Sequence, residues 1–288
     1  MKLSGQHLQS QIKNQSSKID LTFKDKTYLM GVINITPDSF SDGGLFFDPE
    51  KAFEHGLRLE AEGADILDIG GESTRPGAVP LPVEEEIRRV IPVIQSLSTR
   101  VKVPISIDTY KAEVARLAIE AGASIVNDIS ALRFDPEMVN IVKKYKIPVV
   151  LMHMLGRPSN MQVNPVYKDV VKEVYEFLRE RIDYAVRNGI FKEKIIIDPG
   201  IGFGKRLNDN ILLIRHLEVF KELSCPVLIG PSRKSFIGEI LNLPVKERFH
   251  GTAAVAAIAI MKGVNIIRVH DVREMKQLAK MADSIRGE

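Results

Sequence analysis

Eight short apolar runs in this chain each lead into polar or charged residues and then hand over to a helix-like stretch, and that repeat constrains the fold more than any other feature. The run ends carry Asn34, Asp68, Asp108, Asn127 with Asp128, His153, Asp198, Lys234, and Arg268 with His270. Strands that all run one way with helices between them need right-handed crossovers and a closed or doubly wound parallel sheet. Chemistry gathered at the carboxyl ends of such strands predicts an α/β fold, a (β/α)8 TIM barrel with one active face.

The expected strands cover residues 28–34, 65–70, 104–108, 124–128, 149–153, 194–198, 226–230 and 265–269. Between and after them the pattern predicts helices over 49–62, 83–97, 111–121, 136–145, 166–188, 210–223, 234–241 with 248–262, and 272–285. Glu62-Gly63, Ala121-Gly122 and Lys262-Gly263 read as helix C-caps before the next strand. A chain of 288 residues accommodates one such barrel, which takes ~250 residues. The expected division is an N-terminal extension over 1–27 and a barrel over 28–288, with a small hairpin around 19–27 closing the barrel floor.

Composition excludes several classes. The single cysteine, Cys225, rules out an internal disulfide, and its place in an apolar run predicts buried packing rather than catalysis. The net charge is +3, with Lys and Arg spread along the chain, which disfavours a nucleic-acid platform and suits small anionic substrates. No apolar run reaches the ~18 residues of a membrane span. The first 18 residues lack the apolar stretch of a signal peptide. A cytoplasmic protein with neither membrane nor nucleic-acid partners is the expectation. A doubly wound sheet has one apparent support, the DPGIGFGK run at 198–205. Its glycines lack dinucleotide spacing, and no Ser or Thr follows Lys205 as a phosphate loop requires. These glycines instead suit a loop whose backbone approaches a flat ligand.

Asp108 either faces the barrel mouth or caps the next helix. Asp198 ends a strand of three isoleucines beside Pro199, which has no N–H to offer it, so a ligand bearing N–H donors would answer its burial. Of Asn127 and Asp128 only one can face the interior. Arg268 and His270 share a face by period two and suit a diphosphate. Lys234 and Ser235 lie at a strand-to-helix junction of the kind that binds anions in such barrels. His153, among apolar neighbours, reads as core, and no His/Cys spacing suggests zinc. Asn34, with Asp42 nearby, suits a Mg²⁺ that keeps waters and binds substrate phosphates. The polar loops 35–48 and 71–82 are candidate lids, the second carrying Thr74 and Arg75.

Eight segments taken in order, NITPDSFSDGG, DIGGESTRPGA, SIDT, IVNDIS, LMHM, IIDPGIGFGK, GPSRKSFIG and IIRVHDV, resemble the dihydropteroate synthase family, from Tyr28 to the carboxyl end. The resemblance implies condensation of 6-hydroxymethyl-7,8-dihydropterin diphosphate with 4-aminobenzoate, with Mg²⁺, at the folate step that sulfonamides block. By motif it implies that Asp108, Asn127, Asp198 and Lys234 hold the pterin, with Met152 and Phe203 bordering the ring. Asn34, Arg268 and His270 would bind the diphosphate. Phe40, Thr74, Arg75, Pro76 and Ser235 would form the aminobenzoate site. Asp108, Lys234, Arg268 and His270 are the implied catalytic residues, Asn34 and Asp42 the implied metal site, and a homodimer through the last helices the implied assembly. Two other readings stay open on the residues alone: a pterin-binding methyltransferase barrel, and a non-catalytic pterin-binding paralogue.

Overall fold

The computed structural model describes residues 26–36 and 49–287. The expected extension and hairpin therefore lie almost wholly outside the described residues. Eight parallel strands alternate with helices. The strands are β1 (Tyr28–Asn34), β2 (Ile66–Gly70), β3 (Ile105–Asp108), β4 (Ile125–Asp128), β5 (Val149–Met152), β6 (Ile195–Asp198), β7 (Leu228–Ile229) and β8 (Ile266–Val269). The helices are α1 (Pro49–Glu62), α2 (Val83–Ser98), α3 (Ala112–Ala121), α4 (Met138–Tyr145), α5 (Val170–Arg187), α6 (Leu207–Arg215), α7 (Ser235–Leu241), α8 (Phe249–Met261) and α9 (Val272–Arg286).

The strands pair in the order β6-β5-β4-β3-β2-β1-β8-β7. A bridge between Ile197 and Val227, with Ile197 N–H donating to Pro226 O at 2.9 Å, brings β6 to β7 and closes the ring. This is the expected barrel, not the doubly wound sheet. β7 is shorter than its pattern predicts. Pro226 has no N–H to give to a ladder, and regular pairing to β8 is confined to Leu228↔Ile266 and Ile229↔Ile267. The helix expected over 210–223 starts earlier, at Leu207, and breaks at His216 into a 3₁₀ segment, Leu217–Leu223. α5 starts later than its pattern because Asp169 caps it, its side chain accepting from Lys172 N–H.

Both strand faces are buried, which is why the runs read as continuously apolar. Outward-facing residues such as Leu67, Ile69, Ile105, Ile107, Ile195 and Ile197 pack against the helices. Inside the ring, Met30, Ile66, Ile125, Val150, Ile196, Leu228 and Ile266 form a separate apolar layer. Each such side chain stabilises the fold by about 1.5–3 kcal/mol through burial. Cys225 is buried and free, and burial pushes its thiol up to about 11. Gly63, Gly122 and Gly263 have positive φ at the ends of their helices, the conformation expected of C-caps. No helix among the described residues is long and apolar enough to cross a membrane.

Candidate functional site

The site is built by the two-residue period of the strands. Two residues beyond the interior layer, toward the carboxyl ends, Ile66 gives way to Asp68, Ile125 to Asn127, Val150 to Met152, Ile196 to Asp198, Leu228 to Gly230 and Ile266 to Arg268. An apolar floor thus carries a polar layer, and that layer is the mouth of the barrel.

Arg268 organises one side. Its Nε donates to Asp68 Oδ2 at 2.6 Å and its Nη2 to Asp108 Oδ2 at 2.8 Å. Asp68 Oδ2 also accepts from Asn127 Nδ2 at 3.1 Å. Two carboxylates therefore face one guanidinium, leaving one excess negative charge. Burial raises Asp108 above the usual carboxylate range, against the pull of Arg268 and with the help of Asp68. The same two carboxylates hold Arg268 charged. Asp108 is thus the group that would take a proton. Asp68 Oδ1 and Asp108 Oδ1 are buried without a hydrogen-bond partner. Buried oxygens of this kind demand a donor, and a bound ligand with N–H groups would supply one. Asp108 does not cap the following helix; Lys111 occupies the N-cap of α3. Asp128 turns away from the mouth and accepts from Ser130 and Leu132 N–H, so Asn127 is the inward member of that pair.

Asp198 faces this group across the mouth. One of its oxygens accepts from Gly200 N–H at 2.7 Å, so the partner that Pro199 cannot be is found one residue further on. Burial pushes Asp198 up to about 6, while that hydrogen bond, Lys234 and Lys205 pull it down. The glycines of the 198–205 loop are there for space. A Cβ on Gly200 would fall 1.9 Å from His153 O, and one on Gly204 2.8 Å from Leu155 O, with both residues at positive φ. Beneath the loop lies Lys205, whose ammonium is taken up by protein groups. It is buried, with Nζ at 2.9 Å from His153 Nδ1, 2.9 Å from Gly200 O and 3.1 Å from Phe203 O. Burial lowers its amine to about 7, against the pull of Asp198. His153 is buried against Phe177 and is a core residue, as its neighbours predict.

Lys234 sits half-buried with Nζ 4.0 Å from the centre of the Phe203 ring. Burial lowers it to about 8, Arg268 adds to this, and Asp198 and Asp108 oppose it. Met152 is buried at the end of β5 and packs with Met154, Ile129 and Phe203. His270 takes Ser232 Oγ at 2.9 Å on Nδ1, while its own backbone N–H donates to that hydroxyl at 3.3 Å. The Ser232 hydroxyl thus bridges the backbone and the ring of His270 and fixes the orientation of the imidazole. Burial and neighbouring Arg268 and Arg233 lower His270 to about 4. At neutral pH its ring is therefore uncharged and carries a single N–H.

Asn34 is half-buried at the end of β1, opposite Gly70. Thr74 is half-buried, and Arg75 and Pro76 are exposed, on the loop after β2; Ser235 is exposed at the first residue of α7. Phe40 and Asp42 lie outside the described residues. The mouth thus brings together Asp108, Asn127, Asp198, Lys234, Arg268 and His270. Sequence reasoning noted Asp68 without giving it a role, set Lys205 aside as a phosphate-loop lysine, and gave no part to Ser232. The signal for Asp68 was its place two residues after Ile66, in step with Asp198 after Ile196.

Comparison with known proteins gives one consistent result. Residues 30–270 match the family model described as pterin binding enzyme. The chain is 49% identical over 261 residues to the dihydropteroate synthase of Synechocystis, covering 90% of each chain. Among solved structures it is similar to the Yersinia pestis dihydropteroate synthase in complex with a sulfonamide drug, with TM-score 0.87, 43% identity, and 93% and 96% of the two chains covered. It is also similar to the Xanthomonas albilineans enzyme with 4-aminobenzoic acid, with TM-score 0.86, 48% identity, and 92% and 94% covered. The same Xanthomonas enzyme in complex with 7,8-dihydropteroate matches with TM-score 0.84 and 45% identity, covering 94% and 96%.

Proposed function

The chain belongs to the dihydropteroate synthases, a family of pterin-binding enzymes, and from that premise we propose the reaction and its division among residues. It joins the methylene carbon of 6-hydroxymethyl-7,8-dihydropterin diphosphate to the amino nitrogen of 4-aminobenzoate and releases diphosphate. The observation that carries this reading is the two-sided mouth. Carboxylates and an amide (Asp108, Asn127, Asp198) suit a heterocycle rich in N–H groups, and Lys234, Arg268 and His270 beside them suit a phosphorylated arm.

The free oxygen of Asp198 takes the guanidine-like N–H edge of the pterin, and Asn127, which both donates and accepts, takes a neighbouring edge. Met152 and Phe203 border the ring. Arg268 uses two of its five donors on Asp68 and Asp108, which leaves three for the diphosphate alongside the neutral ring of His270. Asn34 lies at the carboxyl end of its strand, among the same strand ends, and its amide oxygen suits a Mg²⁺ whose other ligands are water and phosphate oxygens. Asp42, the second expected ligand, lies outside the described residues. Such an ion, when bound, neutralises charge that develops on the leaving group. The methylene carbon loses its bond to the diphosphate oxygen, and the cation spreads into the electron-rich pterin, stabilised by the field of Asp108. The aniline nitrogen then attacks as a neutral nucleophile and gives up one proton, which the departing diphosphate takes. No protein nucleophile is required. Thr74, Arg75, Pro76 and Ser235 hold the benzoate as their loops close.

A homodimer through the last helices belongs to the same proposal. Ile258 and Met261 on α8 and Met281 and Ile285 on α9 are exposed apolar side chains, and burying them in a second copy would remove that surface from water. Light scattering of wild type and Met281→Lys tests it, with loss of the dimer expected. A cytoplasmic location is tested by cell fractionation. The reaction itself is tested by mixing both substrates with Mg²⁺ and following diphosphate release. Release that depends on 4-aminobenzoate is expected; release without it, or none, would overturn the reading.

A further inference from the structure

The loop carrying Thr74, Arg75 and Pro76 is held at its base by a buried cluster that the mechanism above does not use. Lys111, at the start of α3, points its ammonium into the root of this loop. Its Nζ donates at 2.6 Å to Glu72 Oε2, at 2.6 Å to Leu81 O and at 2.6 Å to Glu86 Oε2. An ammonium has three protons, and all three are spent. Glu72 is equally committed. Its Oε2 also accepts from Leu81 N–H at 2.8 Å, and its Oε1 accepts from Tyr110 Oη at 2.7 Å. The side chains of Lys111, Glu72 and Glu86 are only 11%, 7% and 1% exposed. Burial raises Glu86 and Lys111 opposes this, which is the sign expected of a carboxylate that depends on its single cation.

The geometry is that of a closed ring. Glu72 opens the loop and Leu81 ends it, and each bonds both to the other and to Lys111 Nζ. The residues between them, 73–80, form a loop whose two feet are fixed to one point. Tyr110 extends the link sideways. Its ring packs edge-on against Phe134 at 5.4 Å, Arg157 lies over Phe134 at 4.2 Å, and the next residue, Pro158, accepts Gly77 N–H at 3.0 Å. Lys111 stands three residues beyond Asp108. The strand that presents Asp108 to the pterin therefore also sets where the loop stands.

We propose that Lys111, Glu72 and Tyr110 are positioning residues for the second substrate: they clamp the base of the 72–81 loop so that Thr74, Arg75 and Pro76 are presented to 4-aminobenzoate. This deepens the proposed function and rests on it. Loosening the clamp costs loop order, which must be restored each time 4-aminobenzoate binds. The side chains that face the pterin make no hydrogen bond to Tyr110, Lys111 or Glu72, so their pocket is left alone. A purely structural role would lower thermal stability without separating the two substrates.

The test measures KM for each substrate and the melting temperature of wild type, Tyr110→Phe, Glu72→Gln and Lys111→Met, with Mg²⁺ present. Tyr110→Phe removes one hydroxyl and leaves the ring in place. It should raise KM for 4-aminobenzoate roughly 3- to 10-fold, the net worth of one ordinary hydrogen bond. Glu72→Gln should raise it at least 10-fold. KM for the pterin diphosphate should stay within about 2-fold of wild type in both, since no bond to that pocket is lost. Equal changes for both substrates, or none, would overturn the clamp. Lys111→Met strands two buried carboxylates and can fail to fold, so Tyr110→Phe carries the decision. Wild type that releases no diphosphate would instead overturn the functional reading beneath it.

Discussion

Replacing Asp68 with Asn tests the arrangement of the mouth at the residue on which two others converge. Asp68 is fully buried, and a single oxygen accepts from Arg268 Nε at 2.6 Å and from Asn127 Nδ2 at 3.1 Å. Asn keeps the shape and removes the charge. Whichever way its amide turns, either Arg268 keeps a neutral acceptor or a donor is turned toward a donor. A hydrogen bond to a charged group is worth about 1.5–3 kcal/mol, so kcat/KM should fall roughly 10- to 150-fold. Because Asp68 also helps to hold Asp108 above the usual range, the pKa of Asp108 should move down. Stability should fall by a comparable amount, about 2 kcal/mol, or roughly 4–8 °C in melting temperature for a chain of this size. Steady-state kinetics across pH with a diphosphate-release assay, plus thermal denaturation, read all three. If kcat/KM for Asp68→Asn stays within 3-fold of wild type, the claim that Asp68 aims Arg268 and Asn127 is wrong.

Asp108→Asn should lower turnover by about 10²–10³, the scale of a lost electrostatic partner in the transition state, and weaken pterin-diphosphate binding far less; equal losses in pre-steady-state turnover and in affinity would refute the cation role. Asp198 must be ionised to accept the pterin's N–H groups, and its pKa stands at about 6. Pterin affinity measured by calorimetry should therefore fall about tenfold per pH unit below that value. The unliganded stability contributed by Asp198 should run the opposite way. Its folded pKa is raised, so its contribution is full below the unfolded value near 3.8 and is lost as pH rises toward 6, by about 3 kcal/mol; urea titrations of wild type against Asp198→Asn show whether the signs oppose. Lys205→Met leaves Gly200 O and Phe203 O without their donor and should loosen pterin binding by roughly 10-fold or more. Wild type should also gain stability as pH rises above about 7, because the folded amine is depressed to that value and the unfolded one is not. That slope should vanish in the variant, and denaturation at pH 7 and 9 would expose a slope that persists.

Much of the fold could be read from the chain because each strand ends with its chemistry. Asp108, Asn127, Asp198 and Arg268 each follow an apolar run, and the two-residue period alone puts Arg268 and His270 on one face. That period could not say what else occupies the face. Arg268 turned out to share its charge between Asp68 and Asp108, partners 200 and 160 residues away in the chain. The choice between Asn127 and Asp128 was open in the sequence and is decided by the Ser130 turn that claims Asp128. Lys205 looked like a failed phosphate-loop lysine because its real partner, His153, is 52 residues earlier. The early end of β7 and the break at His216 were equally invisible, since both depend on how the ring shuts rather than on local preference. Phe40 and Asp42 lie outside the described residues.

The seam between β6 and β7 has a consequence for how the molecule answers its ligand. Ladder pairing is sparse there, with an isolated bridge at Ile197 and Val227, and the two sides of that gap carry Asp198 and Lys234. A pterin gripped by both would act as a clasp across the weakest joint of the cylinder. Heat resistance conferred by such a ligand should then be concentrated along this joint, where amide protons would exchange fastest in the empty protein and slow the most on binding.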